Sequence, residues 1–176
     1  MTRGVDAAAS TPSFVSEGDG MDWEERVAAA WSADVTDGER IALIDAIAAE
    51  RPDGDAVALF ERAGARDSAG RETEAEPLYR AALAAGLDED RRVQAVIQLA
   101  STIRNLGQVD ESLALLRAEY ERGRDAALHD AVAAFYALAL VSSGDAVQAA
   151  SVALQALAPH LPRYTRSVTG YARELL

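Results

Sequence analysis

Apolar residues recur along most of this chain at three- and four-residue steps, the period of one face of an α-helix. Trp23, Val27 and Trp31 make the first such stripe. Asp22 and Glu25 frame its start as an acidic capping box, in which each side chain satisfies a backbone N–H at the head of the helix. Thr36 and Glu39 repeat the device ahead of Ile41, Ile44 and Ile47, and Pro52, Asp53 and Gly54 then close the second helix. Residues 22–55 are thus expected to form a helical pair. Residues 1–21, rich in Ala, Ser, Gly, Thr and Asp without a period, read as a disordered tail.

Beyond this pair the pattern repeats. Gly70, Gly107 and Gly144 stand 37 residues apart, each between two apolar-periodic segments. Laid over one another, the segments are Ala56–Gly86, Val93–Gly123 and Asp130–His160. Alanine recurs at Ala63, Ala100 and Ala137 in the first helix of each unit, and small residues recur at Ala75, Ser112 and Ala149 in the second. Leu83, Tyr120 and Leu157 supply a large residue further on. A small residue is needed where two helix backbones approach within ~8 Å, and a large one fills the space beside it. The glycine between the helices supplies a turn with positive φ. Pro162 is expected to open a last helix, with Tyr164, Val168, Tyr171, Ala172 and Leu175 facing the final repeat.

Small residues in the first helix, Gly at the turn and small–aromatic–small in the second resemble the tetratricopeptide repeat. The segment GRETEAEPLYRAAL, with Gly70, Ala75, Tyr79 and Ala82, is the nearest to its consensus. LASTIRNLGQVDESLALL and ALALVSSGDAVQAASVALQAL follow more loosely. The run through ERAGARDSAG and AVIQLASTIRNLG resembles a bacterial subfamily of small tetratricopeptide proteins. The departures are a period of 37 against the family's ~34, Leu87, Arg124 and Leu161 in place of the closing proline, and Glu119 where Ala82 and Ala156 stand. The resemblance implies an all-α fold, a right-handed α-solenoid of helix pairs. The expected organisation is a tail over 1–21, a helical pair over 22–55, three repeats over 56–161 and a capping helix over 162–176.

Charge narrows the partner classes. The net charge is −12, and residues 1–55 carry 13 acids against 4 arginines, while the remainder carries 16 against 13. An acidic surface repels phosphates, so nucleic acid is not an expected partner. Cysteine is absent, which removes disulfides, thiol nucleophiles and thiolate metal sites together. No apolar segment follows a basic start, and no stretch reaches the ~18 apolar residues of a membrane span, so a cytoplasmic protein without membrane contact is expected.

No catalytic pattern emerges. His129 and His160 have no metal-ligand spacing, Asp88, Glu89 and Asp90 read as a solvated connector, and no phosphate loop or nucleophile elbow is visible. Neither an enzymatic activity nor a cofactor is expected. In a solenoid of this kind the first helices line the concave face. On the central one Gln94, Gln98, Ser101 and Asn105 step by 4, 3 and 4 and share one stripe, flanked by Arg104. Amides and a hydroxyl both donate and accept, which suits them to grip an extended peptide backbone. Val96, Leu99, Ala100 and Ile103 form the opposite, packing side.

In the next repeat the same stripe includes Phe135 and Leu138, either a pocket for a partner's side chain or part of the core. Asp67 and Arg104 occupy equivalent positions in adjacent repeats and are expected to form an ion pair. The lysine and asparagine of the family's carboxylate clamp are missing, with Phe60, Gly64, Ile97 and Ser101 at the corresponding sites. The expectation is a non-enzymatic scaffold that binds a protein or peptide segment in the groove. The alternative is a self-associating structural protein that forms a homo-oligomer through the same surface or the terminal helices.

Overall fold

The computed structural model describes residues 21–123 and 128–176, and the tail expected over residues 1–20 lies outside them. Among the described residues the regular elements are helices. α1 (Trp23–Ser32) and α2 (Asp37–Ala48) form the leading pair. α3 (Ala56–Ser68) with α4 (Glu72–Ala85), α5 (Glu89–Asn105) with α6 (Val109–Tyr120), and α7 (His129–Ser142) with α8 (Ala146–Leu157) are the three repeats. A 3-10 turn at Ala158–His160 leads to α9 (Thr165–Glu174). Each helix packs on its sequence neighbours, and α3 touches α5 as α5 touches α7. That is the neighbour-only contact plan of an α-solenoid.

Both capping boxes form. The Asp22 carboxylate accepts from the Glu25 N–H while Glu25 accepts from the Asp22 N–H, and Thr36 and Glu39 do the same. The three turn glycines carry one device in triplicate. Gly70, Gly107 and Gly144 have φ of 68°, 86° and 93°, and the residue after each returns its N–H five residues back. These are Arg71 to the Arg66 carbonyl, Gln108 to Ile103 and Asp145 to Leu140, at 2.9, 2.8 and 2.9 Å. Only glycine occupies such a turn without Cβ strain, and the returning bonds satisfy carbonyls that the helix end leaves free.

The core follows the small-residue register. Ala63, Ala75, Ala82 and Tyr79 are buried with Leu99 and Ile103 of α5, which closes the first repeat onto the second. Ala100, Leu116 and Ile97 are buried with Val132, Ala133 and Tyr136 of α7, which closes the second onto the third. At Ser112 the register's small position carries a hydroxyl, and it donates to the Ala100 carbonyl at 2.7 Å. The off-consensus Glu119 is also accounted for: its carboxylate takes the Arg92 guanidinium of α5 at 2.5 and 2.9 Å.

Two expectations fail at the C-terminus. Pro162 does not open a helix. Leu161 before it is extended, as steric clash with a proline ring requires, and Tyr164 turns the chain at φ 70° before α9 starts at Thr165. Nor do the tyrosines face the last repeat, since Tyr164 and Tyr171 are 75% and 68% exposed. The Ser151 hydroxyl donates to the Ala172 carbonyl at 2.7 Å. This close approach buries Ala172 and half-buries Val168 to Gly170, and it rotates the aromatic side outward.

Candidate functional site

The first helices α1, α3 and α5 stand side by side, and a pocket of about 560 Å³ opens between them. That volume falls within the ~300–1,000 Å³ typical of ligand sites. α1 contributes Glu24, Val27 and Trp31, α3 contributes Phe60, Glu61, Gly64 and Asp67, and α5 contributes Gln94 and Gln98, with Tyr79 of α4 at the floor.

Helical spacing explains the assembly. Trp31 lies two turns after Glu24 and one after Val27, while Phe60, Gly64 and Asp67 step by four and three along one face of α3. Gly64 makes the fit possible. A Cβ there would stand 3.3 Å from Cζ2 of Trp31 and 3.9 Å from the Tyr79 hydroxyl, so the missing side chain is the space in which the indole sits.

The polar groups of the pocket are mostly acceptors. Trp31 Nε1 donates to Glu61 Oε2 at 2.7 Å, which pins the ring against α3. Burial holds the Glu61 carboxyl above the usual carboxylate range, opposed by the indole bond and by the charge of Arg91. Asp67, also half-buried, accepts from Thr102 Oγ1 of α5 at 2.9 Å and from the Tyr79 hydroxyl at 3.3 Å. Burial raises its pKa as well, against both of those bonds, and Glu72 adds to the rise. Tyr79 is fully buried, and burial beside Asp67 pushes its hydroxyl far up, so it remains a neutral donor.

Gln98 completes the set. Its Oε1 is enclosed and has no hydrogen-bond partner among the described residues. A buried acceptor left unmade costs ~1–3 kcal/mol, and this one is half of the polar pair with which α5 lines the pocket. No basic side chain is among the lining residues. Arg91 stands at the rim, where it is engaged with Glu24 at 2.7 Å and Asp88 at 2.9 Å. A cavity with indole and phenyl walls, ionisable carboxylates and an unmet carbonyl offers favourable contacts to one kind of guest. That guest has an apolar stem and a cationic head rich in N–H donors.

The residues singled out from sequence divide into three places. Gln94, Gln98 and Asp67 come together in the pocket. Ser101, Arg104 and Asn105 continue along α5 beyond it, Ser101 and Arg104 half-buried and Asn105 exposed. Phe135 packs against the C-terminal core, and Leu138 is 47% exposed in a separate groove between α7 and α8.

The expected Asp67–Arg104 pair does not form. Asp67 turns inward to Thr102 and Tyr79, whereas Arg104 turns outward and donates to Asn105 Oδ1 at 3.3 Å. Equivalence by sequence offset fixes a position on the helix but not the direction of a side chain with a nearer partner. Glu61, Gly64 and Ser68 occupy the equivalents of the α5 stripe one repeat earlier, whereas Trp31, Glu24, Phe60 and Tyr79 were not among the residues expected at the site. The signal for Trp31 was present, as a large aromatic at the end of an α1 stripe whose neighbours in α3 include a glycine.

Among the described residues no group of three His, Cys, Asp or Glu side chains stands close enough to hold a metal ion. No helix among them is long and apolar enough to cross a membrane. A family model described as tetratrico peptide repeat matches residues 56–175. No curated protein and no solved structure matches the chain.

Proposed function

The chain belongs to the tetratricopeptide repeat family, and we propose that it works as a non-enzymatic, cytoplasmic scaffold that binds a protein segment on the face made by its first helices. Repeats of this family generally mediate contacts between proteins, and the neighbour-only stacking of the helix pairs presents such a face as one continuous surface. The segment runs along α5, where Gln94, Gln98, Ser101 and Asn105 address its backbone with Arg104 beside them. It lodges one arginine or lysine side chain in the pocket between α1, α3 and α5. The observation that carries this reading is the pairing of a half-buried Asp67 carboxylate, held by two hydroxyls and, among the described residues, by no cation, with the unmet Gln98 carbonyl of a residue lining the same cavity. The side chain's methylenes lie against Trp31 and Phe60 while its N–H groups meet the acceptors.

Calorimetric titration with capped, extended peptides tests this reading. One peptide carries a central arginine and its twin carries citrulline, which keeps the shape and removes the charge. The arginine peptide is expected to bind at least ~10-fold more tightly, since a hydrogen bond to a charged group is worth ~1.5–3 kcal/mol. Equal affinities would remove the cationic subsite. The double change Gln98→Ala with Asn105→Ala should leave folding intact and weaken the arginine peptide, and undiminished binding would move the surface off α5.

A further inference from the structure

The repeat register exposes a vacancy at the C-terminal end of the solenoid. In the first repeat Phe60, Ala63, Ala75 and Tyr79 form the seat on which α5 rests, and each is at most 7% exposed. Their equivalents 37 residues on, Ile97, Ala100, Ser112 and Leu116, form the seat for α7 and are at most 6% exposed. A further 37 residues along, the same positions are Ala134, Ala137, Ala149 and Ala153. They line an apolar groove of about 510 Å³ between α7 and α8, with Ala134 and Ala153 open to solvent. Leu138 and Val141 on its α7 wall are 47% and 56% exposed. The capping helix leaves the groove bare, because α9 docks on α8 through Ser151 and Ala172.

We infer that this groove is a homodimer interface, in which the α7–α8 face of one copy seats the same face of a second copy about a two-fold axis. Three observations select that occupant. The groove continues two interfaces inside the chain that each hold a helix, and its all-alanine floor lets helices approach to ~8 Å. Its walls carry no charge, and between Ala131 and Leu157 the only charged residue is Asp145. In a chain of net charge −12, a two-fold axis through this face brings together surfaces with little like-charge repulsion. A second exposed apolar patch, around Ala42 and Leu43 of α2, includes Glu39 and lies next to Asp37 and Asp45, so pairing through it sets acid against acid. An exposed apolar strip of this kind is also what a monomeric protein rarely keeps open.

The test is the solution mass of the full chain by light scattering and sedimentation over a concentration series. The wild type is expected to be dimeric, and Leu138→Glu monomeric with an unchanged helical spectrum and melting temperature. Two buried glutamates per dimer should weaken association by more than ~100-fold, since like charges facing each other cost several kcal/mol. Leu43→Glu on the α2 patch should remain a dimer. A wild type that stays monomeric at high concentration overturns the proposal, as does a Leu138→Glu variant that still dimerises. Oligomers that grow without limit as concentration rises also overturn it, because they report a head-to-tail contact and not a two-fold one. If Leu138→Glu proves unfolded, Ala150→Glu on the exposed side of α8 serves as the second variant, with the same two readings.

Discussion

Replacing Gly64 separates the pocket from the fold, because that residue has no Cβ in the place where Trp31 needs room. Gly64 is a helix-interior residue without a positive φ, so alanine gains ~0.5–1 kcal/mol of helix propensity. Against this, the new Cβ lies 3.3 Å from Trp31 Cζ2, a few tenths of an ångström inside the comfortable ~3.5–4.0 Å carbon contact. The indole cannot slide freely, since its N–H is tied to Glu61 at 2.7 Å. The two effects nearly cancel, and Gly64→Ala should unfold within ~0.5 kcal/mol of wild type while keeping its peptide affinity.

Gly64→Leu restores the residue that the register places at Leu138, and its three further carbons must either push Trp31 out or lie across the pocket. Overpacking of this size costs ~1–3 kcal/mol before the propensity gain is subtracted, so a net loss of about 1–2 kcal/mol is expected. Peptide binding should vanish in either case. Urea unfolding followed by tryptophan emission reads both outcomes, and Trp23→Phe provides the background, because the chain holds two tryptophans and Trp23 is separately bonded to the Ile47 carbonyl. A Gly64→Leu protein that binds the arginine peptide as well as wild type would refute the pocket as the site. A Gly64→Ala protein destabilised by more than ~1.5 kcal/mol would refute the contact geometry.

Asp67→Asn keeps an acceptor for Thr102 but removes a half-buried charge, so it should raise stability at pH 7 by under ~1 kcal/mol, given solvent screening. The folded-state carboxyl lies above its ordinary value. Its stabilising contribution is therefore complete below the unfolded value and lost as pH rises through the folded one. The advantage of the asparagine should shrink on acidification through the carboxylate range, and an advantage independent of pH would contradict the burial of that charge. The same variant should lose the rise of arginine-peptide affinity with pH. Ser112→Ala removes the buried bond to the Ala100 carbonyl and should cost ~0.5–1.5 kcal/mol in chemical unfolding; a gain in stability would show that the hydroxyl is not needed there.

The parts of the fold legible in sequence are those set by local chemistry. Capping boxes act within four residues, and the Gly turns close within six, so Asp22, Thr36, Gly70, Gly107 and Gly144 announce themselves. The small-residue register is legible for the same reason, because the close approach it permits is repeated three times. The pocket is less so. Gln94 and Gln98 follow from helical spacing and Asp67 from its repeat offset, but the walls that Trp31 and Phe60 add come from other helix pairs. Reading α1 and α2 as a preface to the repeats hides that α1 serves as another first helix and walls the site. Side-chain direction is the other blind spot. Asp67 and Arg104 are equivalent in offset, yet the nearby hydroxyls of Tyr79 and Thr102 decide where Asp67 turns. At the C-terminus a single hydroxyl, Ser151, sets the roll of α9 against the expectation from its apolar pattern.

The Asp67 carboxylate also makes the two joints of the rod mechanically unlike. At the first joint it takes bonds from Tyr79 of α4 and Thr102 of α5, so twisting α5 against α3 strains directional contacts. At the second joint the equivalent positions hold Arg104, Leu116 and Ala139, and α5 meets α7 through apolar residues, while Arg117 Nε of α6 donates to the Tyr136 hydroxyl of α7 at 3.2 Å. Apolar surfaces resist separation but tolerate small sliding, because the hydrophobic effect has no direction. Between successive first helices, greater elastic compliance is therefore expected beyond α5. The α5–α7 contact is expected to yield to bending sooner than the α3–α5 contact, which borders the N-terminal cavity and carries the Thr102–Asp67 bond.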